Sequence, residues 1–366
     1  MREYICDKIV CVPNEPPKQT WKLFFGDTGH IIRVDKVDYK VFQNLYEKAM
    51  ADFWTFKVVD FSQDATGWER LDENAKRMFL LNNGYQTLMD SGVYNEYFSL
   101  LRFVSNSELS ILYSMIGMQE ATQHAPGYSY GLSQMFGGNV EKQFNVVYED
   151  SFVKRRLNSE VDFAYKLQIK SQDGKIDDEL KKLILQVIFA TYYLESVKFP
   201  FSFMVTWKIN EAYDYAIQGF SQIIALIAYD ELTTHKPTNK NVLNILLKEE
   251  KQGFKHLKDW FIEWAISYVK EQVLEELEWN KYLHSEGSIN GFTEDLGELV
   301  IKYFADDCLK LIGIDGIYNV EEFSDLSWYK KQYDINSTNN ANQELSNISY
   351  QRGGVKNDLN KFDNFK

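Results

Sequence analysis

Cysteine is almost missing from this chain. Its three cysteines, Cys6, Cys11 and Cys308, cannot make a disulfide framework. Cys6 and Cys11 have no second pair to complete a zinc site. Proline is also sparse, with six in 366 residues, and no Gly/Pro-rich stretch divides the middle of the chain. That absence predicts one large domain rather than two joined by a linker. No stretch approaches the roughly 18 uncharged apolar residues of a membrane span. The start, MREYICDKIV, interrupts its short apolar run with charges, unlike a signal peptide. Positive charge is in deficit, and a formal net charge of −13 argues against the basic footprint of a general nucleic-acid binder. The expectation is a soluble cytoplasmic protein, or one of the host cytoplasm if the source is viral, with neither nucleic acid nor membrane as partner.

Aromatic residues are plentiful, at 15% of the chain with 25 Phe and 23 Tyr. They imply a thick aromatic core, or the insulation of a redox centre. Convincing alternating strand patterns are scarce, whereas helical periodicity runs from about Asp35 to about residue 312. The expected helices are 38–51, 70–101, 107–136, 143–171, 176–209, 211–235, 239–282 (broken) and 293–311, which makes the fold all-α. Ser105-Asn106-Ser107-Glu108 reads as a capping box opening the third helix. Gln172-Asp173-Gly174 reads as a turn before a helix that opens near Asp177. Three regions are expected: an irregular segment 1–30 with Pro13, Pro16 and Pro17, a helical domain 31–325, and a tail 326–366. From Asn336 to Lys366 the tail is rich in Asn, Ser, Gly and charge, so disorder is expected there. Composition alone favours an inert tail, although Tyr350, Phe362 and Phe365 stand in it as isolated aromatic anchors.

Two stretches repeat one pattern. Glu120-Ala121-Thr122-Gln123-His124-Ala125-Pro126 and Glu231-Leu232-Thr233-Thr234-His235-Lys236-Pro237 each place a carboxylate and an imidazole one helical turn apart. At about 100° per residue, Ile116, Glu120, His124 and Tyr128 form one ladder, and Phe220, Ile224, Ile227, Glu231 and His235 another. Charges in such apolar stripes are costly unless they are paired or bound to metal. Asp90 and Glu195 lie in two further apolar helical runs. Together these residues offer four carboxylates and two imidazoles from four helices, which is what a dinuclear metal centre inside a four-helix bundle requires. Oxygen-rich ligation with one nitrogen per metal suits iron or manganese more than zinc or copper.

At this point the chain resembles the radical-generating small subunit of class I ribonucleotide reductase, within the ferritin-like dimetal-carboxylate superfamily. The resemblance runs through Leu23-Phe24-Phe25-Gly26-Asp27, Ala51-Asp52-Phe53-Trp54, Gly84-Tyr85-Gln86-Thr87-Leu88-Met89-Asp90-Ser91, Leu194-Glu195-Ser196-Val197-Lys198-Phe199 and Ile227-Ala228-Tyr229-Asp230-Glu231. It reaches Asn347-Ile348-Ser349-Tyr350 in the tail. It implies that Asp90, Glu120 and His124 ligate one metal, and Glu195, Glu231 and His235 the other. It implies that Tyr128 becomes a stable tyrosyl radical, with Phe199, Phe203 and Ile227 as its apolar cage. Trp54, Asp230 and His124 match the internal relay, and Tyr350 the mobile tyrosine that hands the radical on. Phe362 and Phe365 look like the terminal docking peptide, which overturns the inert reading of the tail.

The activity implied is that of the small subunit of ribonucleoside-diphosphate reductase. Its dimetal centre, with iron expected first and dimanganese or a manganese–iron pair as alternatives, activates dioxygen to oxidise Tyr128. The radical then serves reduction of ribonucleotides to deoxyribonucleotides, for DNA replication, in a large catalytic subunit. A homodimer is implied, docking that subunit through the C-terminal tail. The other enzymatic reading is a ferritin-like dimetal oxidase that does not serve nucleotide reduction; an iron-storage or scaffold protein would need neither Trp54 and Asp230 nor a caged Tyr128.

One departure stands out. The family spaces each pair as E-x-x-H, whereas both pairs here are E-x-x-x-H with Pro two residues after the His. A proline inside an α-helix clashes with the carbonyl four residues back, here that of Thr122 or Thr233. An extra residue absorbed as a π-bulge removes the clash. The spacing therefore predicts a π-bulge in each motif that returns the histidine to its ligand position.

Overall fold

The computed structural model describes residues 18–27, 36–138, 140–311 and 313–333. Tyr350, Phe362, Phe365, Cys6 and Cys11 lie outside the described residues. Helices dominate the described residues, whose extended pairings are isolated bridges such as Phe24 with Val104. No helix among the described residues is long and apolar enough to cross a membrane.

In chain order the helices are α1 Lys40–Ala51, α2 Asp64–Trp68, α3 Glu73–Leu101, α4 Ser107–Gln119, α5 Ala125–Met135, α6 Glu141–Glu149 and α7 Ser151–Lys170. They continue as α8 Asp178–Tyr193, α9 Phe199–Ala212, α10 Gln218–Asp230, α11 Lys236–Lys248, α12 Lys258–Leu283, α13 Glu294–Leu311 and α14 Ser324–Gln332. Three π-helical turns join successive members into long rods: Glu120–His124 between α4 and α5, Leu194–Lys198 between α8 and α9, and Glu231–His235 between α10 and α11. The 29-residue α3 is central, packing on α4, α5, α7 and α9 and burying side chains around much of its circumference. An exposed helix would show one apolar stripe instead.

Side chains cap the N-terminal ends of several of the long helices, each replacing a missing intrahelical partner. Asp72 accepts from Ala75 N (2.8 Å) at α3, Asp150 from Val153 N (2.9 Å) at α7 and Asp177 from Leu180 N (2.9 Å) at α8. The last follows Gly174, whose φ of 68° completes the expected turn. At α4 the cap sits one residue later than the Ser105 capping box: Asn106 Oδ1 accepts from Leu109 N at 3.0 Å. Ser105 instead uses its hydroxyl on Gly26 N and Lys22 O, both at 2.8 Å.

Other boundaries also differ from expectation. Asp150 divides the stretch 143–171 into α6 and α7, because its carboxylate starts a new helix. The stretch 211–217 is mostly not helical. Asp214 (φ 51°) and Tyr215 (φ 59°) turn the chain there, and Arg70 donates to the Tyr213 and Asp214 carbonyls. A Cβ on Gly67 would fall 1.6 Å from the Ala216 carbonyl oxygen, so only glycine lets α2 meet this turn. The break in 239–282 falls at 249–257, where two 3-10 turns intervene. Neither α2 nor α14 was expected; both are short, and α14 is held by Tyr329 packing on Trp207 at 5.3 Å.

One buried contact between α3 and α8 makes stability pH-dependent. The Thr191 hydroxyl lies 2.6 Å from Glu96 Oε2 and 2.9 Å from the Val187 carbonyl. A hydroxyl has one hydrogen, so both contacts are satisfied only if Glu96 carries a proton. Burial, against the Thr191 contact, pushes the Glu96 carboxyl from 4.5 to about 8. The folded state thus holds this proton more tightly than the unfolded chain. Its stabilisation is complete below about pH 4.5 and is lost as pH rises through about 8. Urea midpoints of Glu96→Gln should fall less steeply than those of the native chain between pH 5 and 8; equal slopes would refute the neutral Glu96.

Candidate metal centre

Each π turn does the same thing to its helix. The amide of the residue after the turn donates five residues back: Ala125 N to Glu120 O, Phe199 N to Leu194 O, Lys236 N to Glu231 O. The next residue is in each case a proline, Pro126, Pro200 or Pro237, which has no amide to place. These are all three prolines beyond residue 17. Both expected bulges are therefore present. The third, at Leu194–Lys198, went unread, although Phe199-Pro200 carried the same signal. Lys198 anchors it from outside, fully buried with Nζ 3.2 Å from Glu275 on α12.

The turns bring Glu120, His124, Glu231 and His235 together, with one ligand atom from each within 4.8 Å of the others. All four are buried. Glu120 reaches both imidazoles, with Oε2 3.2 Å from His124 Nδ1 and Oε1 3.1 Å from His235 Nδ1. Glu231 mirrors it, with Oε1 3.4 Å from His124 Nδ1 and Oε2 3.2 Å from His235 Nδ1. Glu195 Oε1 lies 4.0 Å from His235 Nδ1. Asp90 is fully buried as well, within electrostatic reach of Glu120, His124 and Glu231 and in contact with Tyr128.

The far ring nitrogens are held from outside. His124 Nε2 is 3.3 Å from Asp230 Oδ2, which also accepts from Trp54 Nε1 at 2.6 Å. The Trp54 and His124 rings lie nearly parallel, 6.0 Å apart. His235 Nε2 faces Gln119 Oε1 at 3.4 Å. Such outer partners would keep the proton on Nε2 when a cation is bound, leaving each Nδ1 to face it.

Charge is crowded here. Burial pushes Asp90 and Glu195 well above the usual carboxylate range, and the neighbouring carboxylates push them further. Burial also works to raise Glu120, but His124 and His235 outweigh it and hold that carboxyl at about 2. Burial opposes charging the imidazoles, yet the carboxylates around them raise both well above the ordinary range. The donor set suits cations. Both Asp90 oxygens, Glu120 Oε1, both Glu231 oxygens and His235 Nδ1 are completely buried yet lack a well-aligned hydrogen bond. Oxygen-rich donors with one imidazole nitrogen per ion are the chemistry of a dinuclear iron or manganese site.

The two ladders continue differently. Four residues beyond His124, Tyr128 is fully buried; burial and the nearby Asp90 charge push its phenol well above the ordinary range. Four residues beyond His235, Asn239 donates to Glu195 Oε2 at 3.1 Å and to the Tyr97 hydroxyl at 2.8 Å. Tyr97 in turn donates to Glu195 Oε1 at 2.6 Å. Phe199 and Phe203 stack at 5.7 Å on α9, and with Ile227 on α10 they share one core with Tyr128. Sequence reasoning missed Gln119, Tyr97 and Asn239. Asn239 was legible as the next rung of its ladder, and Tyr97 as the residue seven after Asp90.

A family model described as "Ribonucleotide reductase, small chain" matches residues 32–325. The chain belongs to the ribonucleotide reductase small-chain family. Curated relatives agree along nearly the whole length. The beta subunit of ribonucleoside-diphosphate reductase from Buchnera aphidicola subsp. Baizongia pistaciae is 27% identical, covering 94% of this chain and 95% of that protein. The beta subunit from Haemophilus influenzae is 25% identical with the same coverage. Among solved structures, the R2 subunit of Clostridium botulinum superposes with a TM-score of 0.78 at 20% identity, over 91% of this chain and 99% of that one. A dimanganese(II)-NrdF from Streptococcus sanguinis gives 0.61 at 17% identity, over 87% and 98%. This small chain is thus an all-α, ferritin-like bundle and an oxidoreductase subunit of ribonucleoside-diphosphate reductase.

Proposed function

We propose that this small chain generates the radical for ribonucleotide reduction at Tyr128. The observation that carries the proposal is Tyr128 standing beside Asp90 at the edge of the crossed pair Glu120/Glu231 and His124/His235. Asp90, Glu120 and His124 would hold one metal ion, and Glu195, Glu231 and His235 the other. Two bound iron ions, or manganese in one or both places as in the dimanganese relative, would supply dioxygen activation and the oxidising power to take an electron from Tyr128.

The protein's own part is distinct. Asp90 lies where the phenolic proton of Tyr128 must be managed. Phe199, Phe203 and Ile227 keep water from the ring. Trp54, Asp230 and His124 form a hydrogen-bonded relay for an electron and a proton between this edge and the Trp54 side. Glu195 is pinned by Tyr97 and Asn239, whereas the neighbour that engages Asp90 is Tyr128 itself. The two halves of the site therefore differ: one carboxylate is held by Tyr97 and Asn239, the other by the phenol proposed to be oxidised. The tail 326–366, with Tyr350, Phe362 and Phe365, would carry the radical path to the large subunit, in the cytoplasm where the substrate is found. The test is low-temperature electron paramagnetic resonance after anaerobic Fe(II) loading and exposure to oxygen, with metal counted on the same sample. A tyrosyl doublet with two metals per chain is expected; two bound metals without a radical, whether iron or manganese is loaded and with an activator supplied, would overturn the reading.

The homodimer belongs to the same proposal. Phe98 (46% exposed), Met118 (42%), Tyr165 (62%) and Ile169 (50%) are large apolar groups in water on α3, α4 and α7. Phe98 lies against Gly117, and Gly92 against Val161, so these helices form one continuous face. Unpartnered apolar faces of this kind mark protein interfaces. Phe98→Asp is expected to shift the mass measured by light scattering from dimer to monomer; an unchanged dimer would place the interface elsewhere.

A further inference from the structure

Asn83 and Gln86 are fully buried on α3, yet the nitrogen and the oxygen of each side-chain amide lack a protein partner. The core does satisfy amides next door. Asn82 donates to the Ser202 carbonyl at 2.8 Å and accepts from the Ser202 hydroxyl at 2.7 Å. An unpaired buried amide is costly, and native interiors pair such groups with ordered water when protein partners are missing.

The two amides are not scattered. Asn83, Gln86 and Asp90 follow one another at helical spacings of three and four, so they share one face of α3. In the other direction that face runs to Leu80 and Lys76. There a cleft of about 550 Å³ opens, lined among others by Trp68, Lys76, Leu80, Phe136 and Gln143. Gln143 Oε1 is also a buried atom without a partner. Asn83 and Gln86 thus carry unused hydrogen-bonding capacity along the face of α3 that runs from this surface cleft to the metal centre.

We propose that Asn83 and Gln86 hold a file of internal water that joins the cleft at Lys76 and Gln143 to the Asp90–Tyr128 edge of the site, and that protons reach that edge along it. Each amide offers two donors and one acceptor oxygen, enough to hold a water on either side. Each water takes one proton and passes one on, so no member of the file changes its charge. The proton role rests on Tyr128 being the oxidised residue; the water file does not.

The experiment has two arms. A crystal structure of the native full chain should show ordered waters bridging Asn83, Gln86 and Asp90; a dry gap, or the two amides paired with each other, would overturn the file. In the second arm Asn83→Leu with Gln86→Met replaces both amides by apolar groups of similar size. Stopped-flow absorbance after Fe(II) loading and mixing with oxygen should show the tyrosyl radical appearing roughly tenfold more slowly or worse, with a changed solvent isotope effect and two metals still bound. An unchanged rate and isotope effect in the folded variant would overturn the proton role. If the double variant does not fold, Gln86→Met alone is read in the same way. Absence of any radical in the native protein would count against the proposed function and leave the crystallographic arm to decide the water file.

Discussion

Tyr128→Phe should keep two metal ions per chain and lose the tyrosyl signal. The substitution removes one oxygen from a ring that is fully buried, so the packing around it is retained. None of the six proposed ligands is touched. What disappears is the only phenol beside Asp90 that lies one turn beyond a proposed ligand histidine. A phenyl ring has no proton to surrender on oxidation and resists losing an electron far more strongly. Nucleotide reduction with the large subunit should fall to background. The measurement is electron paramagnetic resonance on metal-loaded, oxygen-exposed samples of both proteins, with metal counted in each. An unchanged tyrosyl signal in the variant would remove Tyr128 from its role. Loss of metal would mean that the hydroxyl supports Asp90 structurally.

The second large effect concerns the π turns. Deleting Thr122 alone should destabilise the chain by about 3 kcal/mol or more and release metal, because the shortened helix turns α-helical with Pro126 still inside it. Deleting Thr122 together with Pro126→Ala should restore binding of two metals. The shortened pair would then read as the family's usual E-x-x-H, and the new alanine has an amide for the α-helical ladder. Thr122 is exposed, so its own side chain costs little to remove. Thermal melts and metal counts on the two variants decide the matter. If the double variant also fails to bind metal, the five-residue turn itself, rather than the position it gives His124, is required.

These turns also show what could be read in advance. The all-α class, the long helices and the two paired motifs follow from periodicity and spacing, which are local properties. The bulges at Glu120–His124 and Glu231–His235 were legible because proline forbids the regular alternative. The crossed contacts of Glu120 and Glu231 with both histidines were not, since they depend on how two rods lie side by side. Nor was the pinning of Glu195, whose partners Tyr97 and Asn239 come from two other helices. The cap at α4 moved from Ser105 to Asn106 because Ser105 is claimed by Gly26 and Lys22, 79 and 83 residues away in sequence. Long-range competition of that kind leaves no mark in a four-residue window.

The extra residue in each pair bears on how this sequence should be compared with others. A search pattern built on the tighter glutamate–histidine spacing passes over both motifs here. An alignment free to place its gap anywhere can move the histidine or the tyrosine out of column. The correct place for the one-residue gap is inside each turn, between the glutamate and the histidine, because the helix resumes its register by the following proline. Pro126 and Pro237 thus act as bookmarks: a related sequence with a proline at that distance should be aligned with the inserted residue, and one without it should not.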